Sequence, residues 1–293
     1  MAAGIDFTHI YVNKLRMYGG SNGGKISVRY RDENYMLKFP PKLGGAAGLR
    51  YSNSCISEHV ACRIFTALGI DTQETLLGRY GDKIVVACKD FETDGFVLKD
   101  FAHLKNTIID SSQSGYGTEL SDVLDTIHGQ QVVPPAELEA FFWKMFIGDA
   151  LLGNFDRHNG NWGFLINEAR KTVRIAPVYD CGSCLYPQLE EDGMERVMAN
   201  REDISERLFV FPNSALKQNG VKINYARFLS DIKYESCAKA LSLVGARIDL
   251  RVINVIVDDT PYISETHKTF LKTMIRERKE RIIDTALGRG DTQ

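Results

Sequence analysis

The sequence predicts an α+β fold in two lobes, a small β-rich N-lobe with one helix followed by a larger, mostly helical C-lobe. Three observations predict it. Roughly the first ninety residues read as strands around a single helical stretch. After Phe91 the apolar residues recur at helical spacing, and one hairpin, over residues 162–178, is inserted into that helical part.

In chain order, short β-prone runs stand at residues 10–12 and 25–30. Arg31, Asp32, Glu33 and Asn34 form a turn before a strand at 35–39. A loop rich in Pro and Gly covers 40–53. The helix follows at 54–68, with Ser54 as its N-cap and Gly69 just past its end. Strands at 74–79 and 83–88 are joined by Tyr80-Gly81-Asp82, a hairpin signal. Beyond Phe91, helices are expected at 121–128 and 134–152, the second strongly apolar and opened by Pro134-Pro135. The hairpin has strands at 162–166 and 172–178 around a turn at 167–171. From about Asp203 the periodicity is helical, ending in a helix over 265–287. Its basic stretch at 276–281 is interspersed with Glu277 and Glu280 and reads as a solvated face. The expected division is an N-lobe at 1–88, a hinge at 89–91 and a C-lobe at 92–293, one domain in all.

Composition excludes several classes. The chain has 293 residues, with 36 Lys and Arg nearly balanced by 38 Asp and Glu, so a direct nucleic-acid binder is not expected. No apolar run approaches the ~18 residues of a membrane helix, and the N-terminus lacks a basic stretch followed by an apolar block. Six scattered cysteines at 55, 62, 88, 181, 184 and 237 do not make a secreted disulfide scaffold. A reduced, cytoplasmic protein with no membrane partner is the expectation. Cys181 and Cys184 have no second pair at zinc spacing and read as packing residues.

The chemistry concentrates in Gly153-Asn154-Phe155-Asp156-Arg157-His158-Asn159-Gly160-Asn161, followed by Pro177-Val178-Tyr179-Asp180-Cys181-Gly182. Phosphoryl transfer needs a carboxylate that orients the attacking hydroxyl and accepts its proton, together with hard oxygen ligands for Mg²⁺. Asp156 and Asn161, five apart in one loop, can supply the base and one metal ligand. Asp180 returns after the hairpin as the second ligand, in an Asp-x-Gly turn. A lone Asp-x₄-Asn would be only a polar loop capping a helix. Here the loop follows a long apolar helix and is completed by Asp180 across the hairpin.

Upstream lies Gly19-Gly20-Ser21-Asn22-Gly23-Gly24-Lys25, where backbone amides can approach phosphate oxygens. It nearly matches a Walker A loop, but Ile26 stands where Ser or Thr belongs, and strand rather than helix sequence follows. A glycine-rich hairpin over ATP fits better. Lys38, on the strand face opposite Tyr35, Leu37 and Phe39, is placed to hold phosphates, with Glu58 on the next helix as its partner. Singly, a strand Lys and a Glu in a helix's first turn are common surface features. Lys89, Asp90 and Phe91 fall where the lobes join and where backbone groups would meet adenine. His158 reads as a brace of the catalytic loop rather than a metal ligand; it and Tyr179 are counted with the nucleotide-binding residues.

With these residues in order the chain resembles the HipA-like serine/threonine protein kinases. Asp156-Arg157-His158-x-x-Asn161 with Pro177-x-Tyr179-Asp180 carries the resemblance. Residues 19–25, 35–41, 74–91 and 150–187 look most like the short CtkA-type members. The resemblance implies a bilobal protein-kinase-like fold using ATP and Mg²⁺. In it Asp156 is the proton acceptor, and Asn161 and Asp180 are the metal ligands. Lys38 and residues Gly20 to Lys25 hold phosphates, and Lys89 to Phe91 hold adenine. It also implies protein substrates with Ser or Thr and autophosphorylation near the phosphate loop, with Ser21 as the expected site. Full-length HipA toxins carry a further N-terminal subdomain, whereas 18 residues precede Gly19 here, so a DNA-binding antitoxin partner is not expected.

Other readings share the residues. A lipid kinase has the same Asp-Arg-His-x-x-Asn loop, but the segment after Asp180 is acidic through Glu190, Glu191, Asp192 and Glu195, which an inositide headgroup would avoid. A small-molecule phosphotransferase with a cationic substrate and a nucleotide-binding pseudokinase are the further alternatives.

Overall fold

The structure, a computed structural model, describes residues 4–18, 24–41, 52–108 and 115–290. The N-lobe sheet contains β1 (Ile5–Asp6), β2 (Lys25–Tyr30), β3 (Glu33–Lys38), then, after the helix α1 (Ser54–Ala67), β4 (Thr75–Tyr80) and β5 (Lys83–Lys89). Their order across the sheet is β1-β4-β5-β3-β2, antiparallel except for the parallel β1–β4 pair. The β2–β3 turn is tighter than the four residues expected. Arg31 and Asp32 both take positive φ, 48° and 64°, the twist that suits a two-residue hairpin, and pairing resumes at Tyr30 and Glu33. Residues 10–12 do not form a strand: Val12 makes an isolated bridge to Val28. With two residues, β1 is too short to show an alternation, so no period marks it along the chain.

Asn53, not Ser54, takes the N-cap position of α1, without a side-chain bond to the helix. Gly69 follows its end at φ 70°, donating its N–H to the Thr66 carbonyl, a left-handed position where glycine costs least. In β3 the alternation holds: Tyr35 and Leu37 enter a small core with Phe7, Val28, Val85 and Ala87, while Met36 faces the larger core. That larger core does not stop at the lobe boundary. It unites Val60, Ile64 and Phe65 of α1 with the C-lobe helices.

The C-lobe opens with β6 (Val97–Asp100), α2 (Phe101–Ile108), α3 (Leu120–Gly129) and α4 (Pro135–Leu152), followed by β7 (Gly163–Asn167) and β8 (Thr172–Ile175). β6 and α2 were not foreseen, and the expected hairpin is a three-stranded sheet in the order β6-β7-β8. Four residues of mixed exposure in β6 carry no period for a sequence reading to find. Phe101 stacks on Trp162 at 4.0 Å and fixes the sheet to the helices. Trp143 and Phe146 are core, packed on Phe228.

Helical structure resumes earlier than expected, with α5 (Glu191–Ala199) and α6 (Arg201–Phe209). A small hairpin, β9 (Lys217–Gln218) and β10 (Val221–Lys222), interrupts it before α7 (Tyr225–Leu229), α8 (Glu235–Gly245), α9 (Leu250–Asp258) and α10 (Glu265–Arg278). A π-helical turn (Lys279–Asp284) carries α10 into α11 (Thr285–Gly290), where one regular helix was expected. No helix among the described residues is long and apolar enough to cross a membrane.

Candidate active site

Lys38 ends β3 and turns its ammonium toward α1. Its Nζ donates to both carboxylate oxygens of Glu58 at 2.9 Å and to Asp180 Oδ1 at 3.0 Å. Burial opposes the Lys38 charge, but the Asp180 and Glu58 carboxylates outweigh it and hold its pKa well above the ordinary lysine range. Glu58 is nearly fully buried; burial pushes its carboxyl up while Lys38 pulls it back. It also accepts the Cys181 N–H at 3.3 Å, and a Cβ on Gly182 would come within 3.3 Å of its Oε2. The turn after Asp180 is thus seated on α1. Lys25 pairs with Lys38 across the β2–β3 ladder, and its charge reaches Asp180.

The Asp156 loop leaves α4 through Gly153, which takes φ 65° as the helix ends. Asn154 then caps the turn, its amide bonding Asp149 at 2.8 Å and its Oδ1 accepting the Asp156 N–H at 3.0 Å. Asn161 closes the loop by donating Nδ2 to the Asp156 carbonyl at 2.8 Å. His158 accepts the Gly160 N–H at 3.0 Å through Nδ1. Burial raises the Asp156 carboxyl above its ordinary value, His158 counteracts that, and Asp180 adds to it. Asp180, by contrast, is held at about 2 by the Lys38 charge, and its side chain remains 43% exposed. Its backbone is left-handed, φ 56°, an uncommon state that Asp tolerates better than most residues.

The sequence reading passed over the pair that joins these two segments. Arg157, almost completely buried, bonds Asp149 at 3.0 Å, the Asn161 carbonyl at 2.9 Å, and the carbonyl of Tyr179. One guanidinium therefore fixes the loop and the Asp180 turn in a common register, its planar fork meeting several acceptors at once. The available signal was Asp149, the one charged residue in the apolar end of α4. Backbone bonds from Gln73 to the Val178 carbonyl and from Val178 to the Asp71 carbonyl, each 2.8 Å, tie the segment leading into the Asp180 turn to the N-lobe.

Gly20, Ser21, Asn22 and Gly23 lie outside the described residues. At the lobe junction the Lys89 side chain turns outward to Glu33 and Glu74. Its N–H goes to the Glu74 carbonyl and its own carbonyl accepts from Gln73. The Asp90 N–H goes to Asn34, and its carboxylate holds Arg16 at 2.9 Å and Tyr18 at 2.8 Å. Phe91 packs on Tyr179 at 5.7 Å, and the Tyr179 hydroxyl donates to the Gly160 carbonyl at 3.1 Å. So Lys38, Glu58, Asp180, Asn161 and Asp156 form one site, while the Lys89 side chain is turned away from it.

A β-sheet lobe whose lysine meets a helix glutamate, above a helical lobe with an Asp–Asn loop and an Asp-x-Gly turn, defines the protein-kinase class of folds. The profile of the HipA-like C-terminal domain matches residues 15–244, and the chain belongs to that family. It is 50% identical over 283 residues to the serine/threonine-protein kinase CtkA of Helicobacter pylori, covering 96% of this chain and 87% of that protein. The crystal structure of the Helicobacter pylori proinflammatory kinase CtkA superposes with a TM-score of 0.93 at 49% identity, covering 98% of each chain. At that likeness the chain is an enzyme of the serine/threonine-protein kinase class. HipA of Shewanella oneidensis, solved with HipB and operator DNA, shares the fold at a TM-score of 0.60 and 16% identity, covering 97% of this chain and 69% of that one.

Proposed function

We propose that the chain transfers the γ-phosphoryl group of ATP, with Mg²⁺, to serine or threonine hydroxyls of protein substrates. The observation that carries this is the meeting of Lys38, Glu58 and Asp180 beside the Asp156–Asn161 loop.

The residues fit the cofactor. Mg²⁺ is held through one or two protein oxygens together with substrate phosphates. Asp180 offers an ionised, partly exposed carboxylate, and the Asn161 amide nitrogen is engaged with Asp156, which leaves its amide oxygen for a metal. Bound Mg-ATP supplies the phosphoryl group and the divalent charge that neutralises its oxygens. Lys38 and Lys25 direct positive charge toward the phosphates. The Asp90 carbonyl and the Phe91 backbone are the hinge groups that can meet adenine, because the Lys89 backbone is already engaged. Asp156 orients the acceptor hydroxyl and takes its proton. Ser21, in the glycine-rich segment, is the expected autophosphorylation site. Six unpaired cysteines suit a reducing, cytoplasmic compartment.

The test is intact mass after incubation with Mg-ATP, for the wild type, Asp156→Ala and Asp180→Ala. Phosphate gained by the wild type and lost in both variants supports the proposal. No gain with ATP still bound would favour a small-molecule or lipid phosphotransferase or a pseudokinase.

A further inference from the structure

Beside the Asp156 loop, the β9–β10 hairpin and α7 enclose an open cavity of about 310 Å³. Two contacts fix it there. Tyr225, the first residue of α7, is buried and donates its hydroxyl to the Asn154 carbonyl at 2.6 Å, two residues before Asp156. Phe155 packs on Phe211 at 5.5 Å, holding the other side of the same loop against the segment leading into the hairpin.

The lining is cationic on an apolar floor. Lys222, Arg227 and Lys233 stand against a single acid, Asp231, and Lys233 is the one that reaches it, at 3.6 Å. Among the described residues no carboxylate pairs with Lys222 or Arg227, although the chain as a whole carries a net charge of −2. Phe228 and Tyr234 form the floor and are themselves packed on Trp143, so the surface is anchored in the core. The positive charge of Lys222 also acts on the Asp156 carboxylate, so the cationic wall and the Asp156 loop share one electrostatic environment.

We propose that this cavity receives an acidic stretch of the protein substrate, flanking the serine or threonine presented to Asp156. The inference rests on the kinase function proposed for the site. Two cations that form no ion pair among the described residues, next to an apolar floor, are complementary to Asp or Glu side chains on an extended peptide, and such complementarity selects partners more than it adds raw affinity. Arg227 in particular can meet a carboxylate with two parallel hydrogen bonds.

The experiment is fluorescence anisotropy with the full chain and no nucleotide. One labelled peptide has Ala at the acceptor position flanked by Asp and Glu, and a second has the same length flanked by Lys and Arg. The wild type is expected to bind the acidic peptide about tenfold tighter, and Arg227→Glu or Lys222→Glu to remove that preference. Both residues are exposed, so thermal unfolding of the variants should match the wild type. Equal binding of the two peptides, a preference kept by both variants, or tighter binding of a single-stranded RNA that displaces the peptide would overturn the proposal. Because no phosphate is transferred in this assay, acidic-peptide binding by a chain that incorporates no phosphate would sink the kinase function and leave the groove standing.

Discussion

Lys38 and Asp180, 142 positions apart in sequence, meet at 3.0 Å, and Glu58 takes the other side of the same ammonium at 2.9 Å. The Lys38 and Glu58 side chains are 12% and 3% exposed, so neither charge can fall back on water if its partner is removed. Lys38→Met should destabilise the fold by about 3–5 kcal/mol, because it strands a buried carboxylate. Urea unfolding checks this, and Lys38→Met/Glu58→Leu should recover most of the loss. A double variant as unstable as the single one would show that the pair does not act as a unit.

Asp156 and Asp180 are separated by environment. Burial raises one, and Lys38 holds the other at about 2. Asp156→Asn is expected to lower phosphoryl transfer about 10²- to 10⁴-fold while keeping Mg-nucleotide affinity. Asp180→Asn should weaken that affinity directly. Calorimetric titration of Mg-ADP into both variants distinguishes them, and an equal loss of affinity in the two would contradict the assigned roles.

His59 and His267 are both buried, and burial pushes each imidazole down from 6.5 to about 4. Arg63 adds to the shift at His59, and Glu191 opposes it at His267. Between those values the unfolded chain binds more protons than the folded one, so stability rises with pH there. The contribution is complete above pH 6.5 and is lost as pH falls toward 4, by at most about 1.4 kcal/mol per pH unit for each histidine. Unfolding free energies at pH 7 and pH 5 should therefore differ, and His59→Gln or His267→Gln should shrink the difference. A slope unchanged by either substitution would locate the acid sensitivity elsewhere.

Gly148 of α4 lies beneath the fully buried ring of Phe65 in α1, where a Cβ would stand 2.2 Å from the ring. That ring is fully buried in the large core, where side chains are close-packed and give way only at a cost. Gly148→Ala should cost about 1–3 kcal/mol, read as a lower denaturation midpoint at unchanged m-value. Pairing it with Phe65→Leu should return part of the loss.

Much of this protein was legible along the chain. The β2 and β3 strands, the hairpin at Gly81 and the long apolar helix ending at Gly153 follow from period, turn residues and glycine's access to positive φ, which are local properties. The residue types of the site were visible for the same reason, since the Asp156–Asn161 spacing and the Asp180-x-Gly182 turn are short-range patterns. What tertiary structure alone decided is who meets whom. The Arg157 bridge to the Tyr179 carbonyl, the bond from Cys181 to Glu58 and the anchoring of Tyr225 on Asn154 each join segments at least 22 positions apart. Their partners are mostly backbone groups, which every residue carries, so no sequence pattern marks them. β6 stayed hidden because a four-residue strand is defined by its neighbour β7 rather than by its own residues. Local physics wrote the elements and the chemical groups into the sequence; packing and hydrogen bonding between distant segments decided the site they form.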